Sequence, residues 1–185
     1  MIDMKYLVLI LSVFMISCGP SADEKSEQLM DSLSVVVAKS KMSLDSVNIA
    51  KIESIGDTIA YDRDLLGLTV IDTLPRENAI AVGQYLDMDR SVGQFLRAYE
   101  EVMSEIAYSQ TQVKNLKNDL RSEMVPDSMK MIFVQSEREA IGSLLESSKN
   151  IREWEETLNI QFESYRPKAL VVLQNLEPSL QEKKE

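Results

Sequence analysis

Ser91 to Glu123, SVGQFLRAYEEVMSEIAYSQTQVKNLKNDLRSE, is the stretch that decides the fold. Phe95, Tyr99, Val102, Ile106, Ser109, Val113, Leu116 and Leu120 recur at alternating spacings of four and three, and all but Ser109 are apolar. That period places them on one helix face as a continuous seam of the coiled-coil kind. Ser91 followed three residues later by Gln94 matches a capping box, so a helix start is predicted at Ser91. At the other end Val125-Pro126-Asp127 is expected to stop the helix, because proline lacks an N–H and clashes with the preceding turn. Asp127 or Ser128 then caps the next one.

That second helix carries Phe133, Ala140, Leu144, Ile151, Trp154, Leu158 and Tyr165 in the same register, interrupted by Glu137, Ser147 and Gln161. It is expected to run to Arg166, with Pro167 kinking or ending it before a short apolar helix through Ala169, Val172 and Leu176. Two helices of roughly 50 to 55 Å, joined tightly at Pro126, imply an antiparallel hairpin.

A hairpin alone leaves its seam partly wet, so a third element must cover it. Leu29, Leu33 and Val36 suit a first helix, and Val47 to Leu66, with Ile52, Ile55 and Ile59, suits a second. Gly67 to Thr73 is expected to break the chain. Pro75 then leads Ala79, Val82 and Leu86 into a short helix ending at Asp87 or Asp89. No segment alternates apolar and polar residues as a half-buried strand does. The expectation is all-α: an elongated antiparallel helical bundle with two long coiled-coil-like helices and shorter N-terminal helices, one domain over residues 27–185.

Charge and composition narrow the function. The 185 residues hold 30 acids and 20 bases, no histidine and one cysteine, for a net charge of −10. No basic stripe is present to neutralise phosphates, so nucleic acid is not an expected partner. Without histidine, Ser-His-Asp and Cys-His catalysis and the usual zinc sites are excluded.

The N-terminus gives the location. Lys5 precedes Tyr6 to Ile16, eleven residues of which only Ser12 is not apolar. A membrane-spanning helix needs about 20 apolar residues, so this run has the length of a signal-peptide core. Met4 followed by Lys5 makes a cleaner start than Met1 with Asp3. The run closes in Met15-Ile16-Ser17-Cys18, which resembles the lipobox of bacterial lipoproteins, with methionine where leucine is commoner. The resemblance implies cleavage between Ser17 and Cys18 and a diacylglyceryl thioether on Cys18, which makes the cysteine a membrane anchor. Removing residues 1–17 takes one acid and one base, leaving 168 residues and the same net charge of −10.

Residues 18–26, small and polar around Pro20, read as the lipidated cysteine and a short tether. Gly19 in place of aspartate after the cysteine resembles the sorting pattern of outer-membrane lipoproteins. Asp23 and Glu24 resemble the surface-export signals of Bacteroidetes lipoproteins, so periplasmic and surface display both stay open. The lipobox, the Tyr99-Glu100 helix and Leu116-Lys117-Asn118-Asp119-Leu120 together resemble small helical lipoproteins of Bacteroidetes. That likeness implies no catalytic residue or ligand.

Chemistry is sparse. Glu100, Glu101 and Glu105, with Glu137 or Glu139 opposite, are the only carboxylates that suggest a metal site, and a solvated surface explains them better. Met129 and Met131 suggest soft copper ligands, but core filling beside Ile132 and Phe133 is the simpler reading. Trp154, Phe95 and Tyr99 are expected in the core. No Ser-x-x-Lys pattern, phosphate-binding loop or Gly-x-Ser-x-Gly elbow occurs. The expectation is therefore a non-enzymatic envelope lipoprotein without catalytic residues, metal or cofactor. Its partners are the membrane, through Cys18, and another envelope protein through helical packing. The alternative is a small-ligand or lipid-binding helical module with an apolar cavity.

Overall fold

The computed structural model describes residues 22–67 and 74–181. The signal peptide, Ser17, Cys18, the break expected after Gly67 and the charged tail from Glu182 fall wholly or mainly outside the described residues. Four helices account for nearly all of the rest: α1 (Ala22–Asp45), α2 (Ile49–Gly67), α3 (Arg76–Arg121) and α4 (Asp127–Gln181).

The all-α expectation holds, and the bundle is simpler than its element list suggests. Glu27 and Asp31 of α1 pair with Arg121 and Lys117 near the end of α3, so α1 runs antiparallel to it. Asp62 and Arg63 of α2 meet Tyr85 and Asp89 near the start of α3. Thus α1 and α2 point the same way and follow one another along a single groove of the α3–α4 hairpin. Their lengths, about 36 and 28 Å, together match the roughly 70 Å of α3. In cross-section the described residues form a three-helix rod whose first helical column, α1 followed by α2, is broken at residues 46–48.

The seam of α3 is buried as its spacing predicts: Phe95, Val102, Ile106, Ser109, Val113 and Leu120 are buried, and Tyr99 and Leu116 half-buried. Each large apolar side chain so removed from water contributes about 1.5–3 kcal/mol. Ser91 does not start this helix. The short helix expected after Pro75 and the long one are a single element of 46 residues. Val82, Tyr85, Met88 and Val92 extend the buried row backwards without a gap, so the capping residues sit in mid-helix and have no free amides to cap.

In α4 the expected row is displaced by one residue over its first turns. Val134 and Ile141 are buried, whereas Phe133 is 42% exposed and Ala140 also faces solvent. Both rows pass through Glu137 and Leu144, so spacing alone does not choose between them. Beyond Leu144 the row is as expected at Ile151 and Leu158, with Trp154 and Tyr165 half-buried beside it. Pro167 neither ends nor divides the helix, which continues through it to Gln181. Pro167 is exposed, and Phe162, Tyr165, Ala169 and Val172 pack on either side of it. Those contacts hold the helical path where one backbone bond is missing.

The N-terminal boundaries also shift. Helix α1 begins at Ala22, inside the segment expected to be tether, and Ser26 is already buried. Its core face is Met30, Leu33, Val37 and Leu44, a row the three consecutive valines obscured. Asn48 caps α2: its Oδ1 accepts the Lys51 N–H at 3.0 Å. Gly56 brings α2 close to α3, since a Cβ there would lie 3.2 Å from Val92 Cγ1.

Between α3 and α4 the turn is built differently from expectation. The Met124 N–H reaches back to the Asp119 carbonyl at 3.1 Å, and Glu123 adopts φ 55. This is a Schellman-type end with a non-glycine residue in the left-handed position. The carbonyl of Pro126 accepts the Met129 and Lys130 amides. Asp127 is the first residue of α4, and its carboxylate pairs with Lys130 at 2.8 Å.

Candidate functional site

Of the residues singled out in the sequence, Ser17 and Cys18 lie outside the described residues. The carboxylates do not assemble. Glu100, Glu101, Glu105 and Glu139 are exposed and Glu137 is half-buried. The hairpin register that sets Phe95 against Trp154 leaves Glu137 about 10 Å along the axis from the level of Glu105. Among the described residues no three His, Cys, Asp or Glu side chains gather as a metal would require.

Met129 and Met131 are not core fillers. They are 36% and 65% exposed, and Ile132 and Phe133 join them on the surface. The one-residue shift of the α4 row is the cause, since it turns Val134 inward and its neighbours out. Trp154, Phe95 and Tyr99 do belong to the core. Phe95 meets Trp154 edge-on at 5.7 Å and lies 6.5 Å from Tyr99, and the indole N–H points to Ser91 Oγ at 3.3 Å. Ser91 therefore accepts a bond from α4 where a cap was expected.

The most concentrated polar chemistry was not anticipated from sequence. Asp62 is 2% exposed, and its Oδ2 accepts the Tyr85 hydroxyl at 2.6 Å and Arg166 Nε at 3.2 Å. Burial, and then the Asp62 carboxylate, push the Tyr85 phenol well above its ordinary range. Phe162 closes the group, 6.2 Å from the Tyr85 ring and 5.7 Å beneath the Arg166 guanidinium. One carboxylate thus ties α2 to α3 and α4. It offers no open face to a substrate, so its chemistry is that of a fastener. A sequence signal existed: Ile52, Ile55, Ile59 and Asp62 fall at spacings of three, four and three, which puts a charge in an apolar row.

A second polar junction lies at the α1–α2 break. Arg152 of α4 donates to the Ser43 carbonyl at 3.2 Å and also to Ser46 Oγ, and Glu155 Oε1 accepts the Asn48 N–H at 2.8 Å. Next to it an open groove of about 440 Å³ runs between Lys39, Ser40 and Ser43 of α1 and Leu145, Ser148 and Lys149 of α4. Ser148 Oγ is spent on the Leu144 carbonyl at 2.8 Å. The groove is a surface furrow where small side chains let two helices approach.

No described helix is long and apolar enough to cross a membrane. Comparison with protein families finds no matching model, and neither a curated protein nor a solved structure matches the chain.

Proposed function

We propose that the chain is a lipid-anchored cell-envelope protein whose rod is a non-enzymatic scaffold or adaptor for another envelope protein. One observation carries the reading: the only cysteine stands one residue, Ser17, after the eleven-residue run Tyr6 to Ile16, whose last residues Met15-Ile16 complete the lipobox-like Met15-Ile16-Ser17-Cys18. Two or more acyl chains at such a cysteine give stable membrane attachment, each buried methylene contributing about 0.8 kcal/mol. Gly19 favours the outer membrane as the destination. A rod of about 80 Å, the length of α4, supports the adaptor reading because it presents far more surface than a compact bundle of the same mass.

The anchor is tested by expressing the chain with Cys18→Ala in a bacterium that processes lipoproteins. Labelled palmitate should enter the parent and not the variant, and the variant should leave the membrane fraction. A variant that stays membrane-bound, or a parent with a free thiol, overturns the anchor. Cross-linking in intact cells should return a defined envelope protein bound along the rod, and recovery of the chain alone overturns the adaptor role.

A further inference from the structure

Large apolar side chains on the surface of this rod are scattered singly except at one end. Five of the thirteen exposed ones among the described residues, Met124, Met129, Met131, Ile132 and Phe133, fall within ten residues at the hairpin turn. Apolar side chains gathered at one end of a molecule in this way mark contact with a partner or a membrane. Three cations at this end, Lys117, Arg121 and Lys130, are ion-paired with Asp31, Glu27 and Asp127. With Glu123 and Asp127 also exposed here, the end offers apolar side chains among acids and no surplus of positive charge.

The chain's own connectivity identifies the occupant. The pairs Arg121–Glu27 and Lys117–Asp31 bring the start of α1 beside the hairpin turn. Three residues separate Cys18 from Ala22, so the two Cα atoms are at most about 14 Å apart. A lipid on Cys18 must enter its bilayer within that reach of the α1 start. We propose that the hairpin end itself sits in the interface of that bilayer, with Met129, Ile132 and Phe133 among the headgroups and upper acyl chains and the rod standing away from the surface. The proposal rests on the anchor reading and adds a second, protein-to-lipid contact that fixes the rod's orientation. The depth is consistent: residues 127–133 span about 10 Å of helix, close to the 5–10 Å that interfacial apolar faces occupy. Because burial and not charge drives the contact, neutral lipid suffices.

The test uses the processed, acylated protein, its acyl groups verified by mass, in phosphatidylcholine vesicles with brominated acyl chains. Tryptophan is introduced by Phe133→Trp or, as an independent second site, Ile132→Trp. Ile80→Trp, at an exposed position roughly 60 Å away near the start of α3, is the comparison. After subtraction of the Trp154 signal, both hairpin tryptophans should shift to the blue and lose most of their intensity to bromine, while Ile80→Trp keeps the emission of a water-exposed indole. Acylated protein whose hairpin tryptophans are quenched no more than Ile80→Trp overturns the proposal and leaves the anchor intact. Equal quenching at both ends means a rod lying flat, and a hairpin tryptophan already shielded in a lipid-free dimer means a second copy covers the patch; either overturns it. Absence of acyl groups by mass removes the anchor reading and this proposal together, and is read before any fluorescence is taken.

Discussion

Tyr85 donates its hydroxyl proton to Asp62 across 2.6 Å at the point where α2, α3 and α4 converge, and Arg166 reaches the same carboxylate oxygen. The carboxylate is almost wholly buried, so removing one donor leaves a charge with one partner in a medium that screens it poorly. Tyr85→Phe should cost about 1.5–3 kcal/mol, the range for a hydrogen bond to a charged group. Equilibrium urea unfolding at pH 8 measures it.

The same contact sets an alkaline limit. Burial first, and Asp62 second, raise the Tyr85 phenol from its ordinary value of 10.0. A group whose pKa is raised by folding contributes stability that is complete below its unfolded value and is lost as pH climbs toward the folded one. The parent should therefore lose stability steadily above pH 10, and Tyr85→Phe should lose less over the same interval. Parallel slopes for the two proteins between pH 9 and pH 11 would rule out Tyr85 as the source.

Glu123 carries φ 55 in the turn between the long helices. The left-handed region costs a residue with a Cβ about 1–2 kcal/mol relative to the right-handed one, and glycine visits it freely. Part of that gain is returned as entropy in the unfolded chain. Glu123→Gly should raise stability by about 0.5–1 kcal/mol, seen as a higher urea midpoint with an unchanged slope.

What could be read from the sequence follows from how each feature is encoded. The α3 seam was legible because its four-three row stays apolar at seven of eight steps, whereas the adjacent apolar residues Leu96, Met103 and Ala107 give way to Lys114, Lys117 and Arg121. In α4 the pairs Phe133-Val134 and Ala140-Ile141 put apolar residues on two adjacent rows, and only packing against α1 and α3 selects one. That choice decides whether Met129, Ile132 and Phe133 are core or surface, so the hairpin patch was invisible beforehand. Ser91-x-x-Gln94 is a sound local signal that tertiary burial of Val82, Tyr85 and Met88 overrides. The Asp62 fastener needs two residues 23 and 104 positions away, a relationship that helical periodicity does not carry.

At the break between α1 and α2, beside the Arg152 bonds to Ser43 and Ser46, one residue makes two bonds on different atoms. Asn48 Oδ1 caps Lys51, and the Asn48 backbone N–H is taken by Glu155 from α4. Asn48→Ala should cost about 1 kcal/mol through the lost cap, with Asn48→Asp retaining most of it. Amide hydrogen exchange separates the two bonds. Glu155→Ala should speed exchange at Asn48 and spare Lys51, and Asn48→Ala should do the reverse.

Glu137 occupies a seam position of α4 between Val134 and Ile141, and burial raises its carboxyl above the ordinary value of 4.5. The sign follows from the direction of that shift. Protonated, the group is compatible with the seam, so its favourable contribution is present below the ordinary value and is lost as pH rises past the raised one. At neutral pH ionisation of this half-buried carboxyl opposes folding. Glu137→Gln should therefore stabilise the protein at pH 7 and do little at pH 4, and Glu137→Leu should add about 1 kcal/mol at pH 7 by burying apolar area. Thermal midpoints of the three proteins at both pH values decide it: a glutamine variant no more stable than its parent at pH 7 would mean that Glu137 turns its carboxylate to solvent, and that the α4 row at this level is completed by Val134 and Ile141 alone.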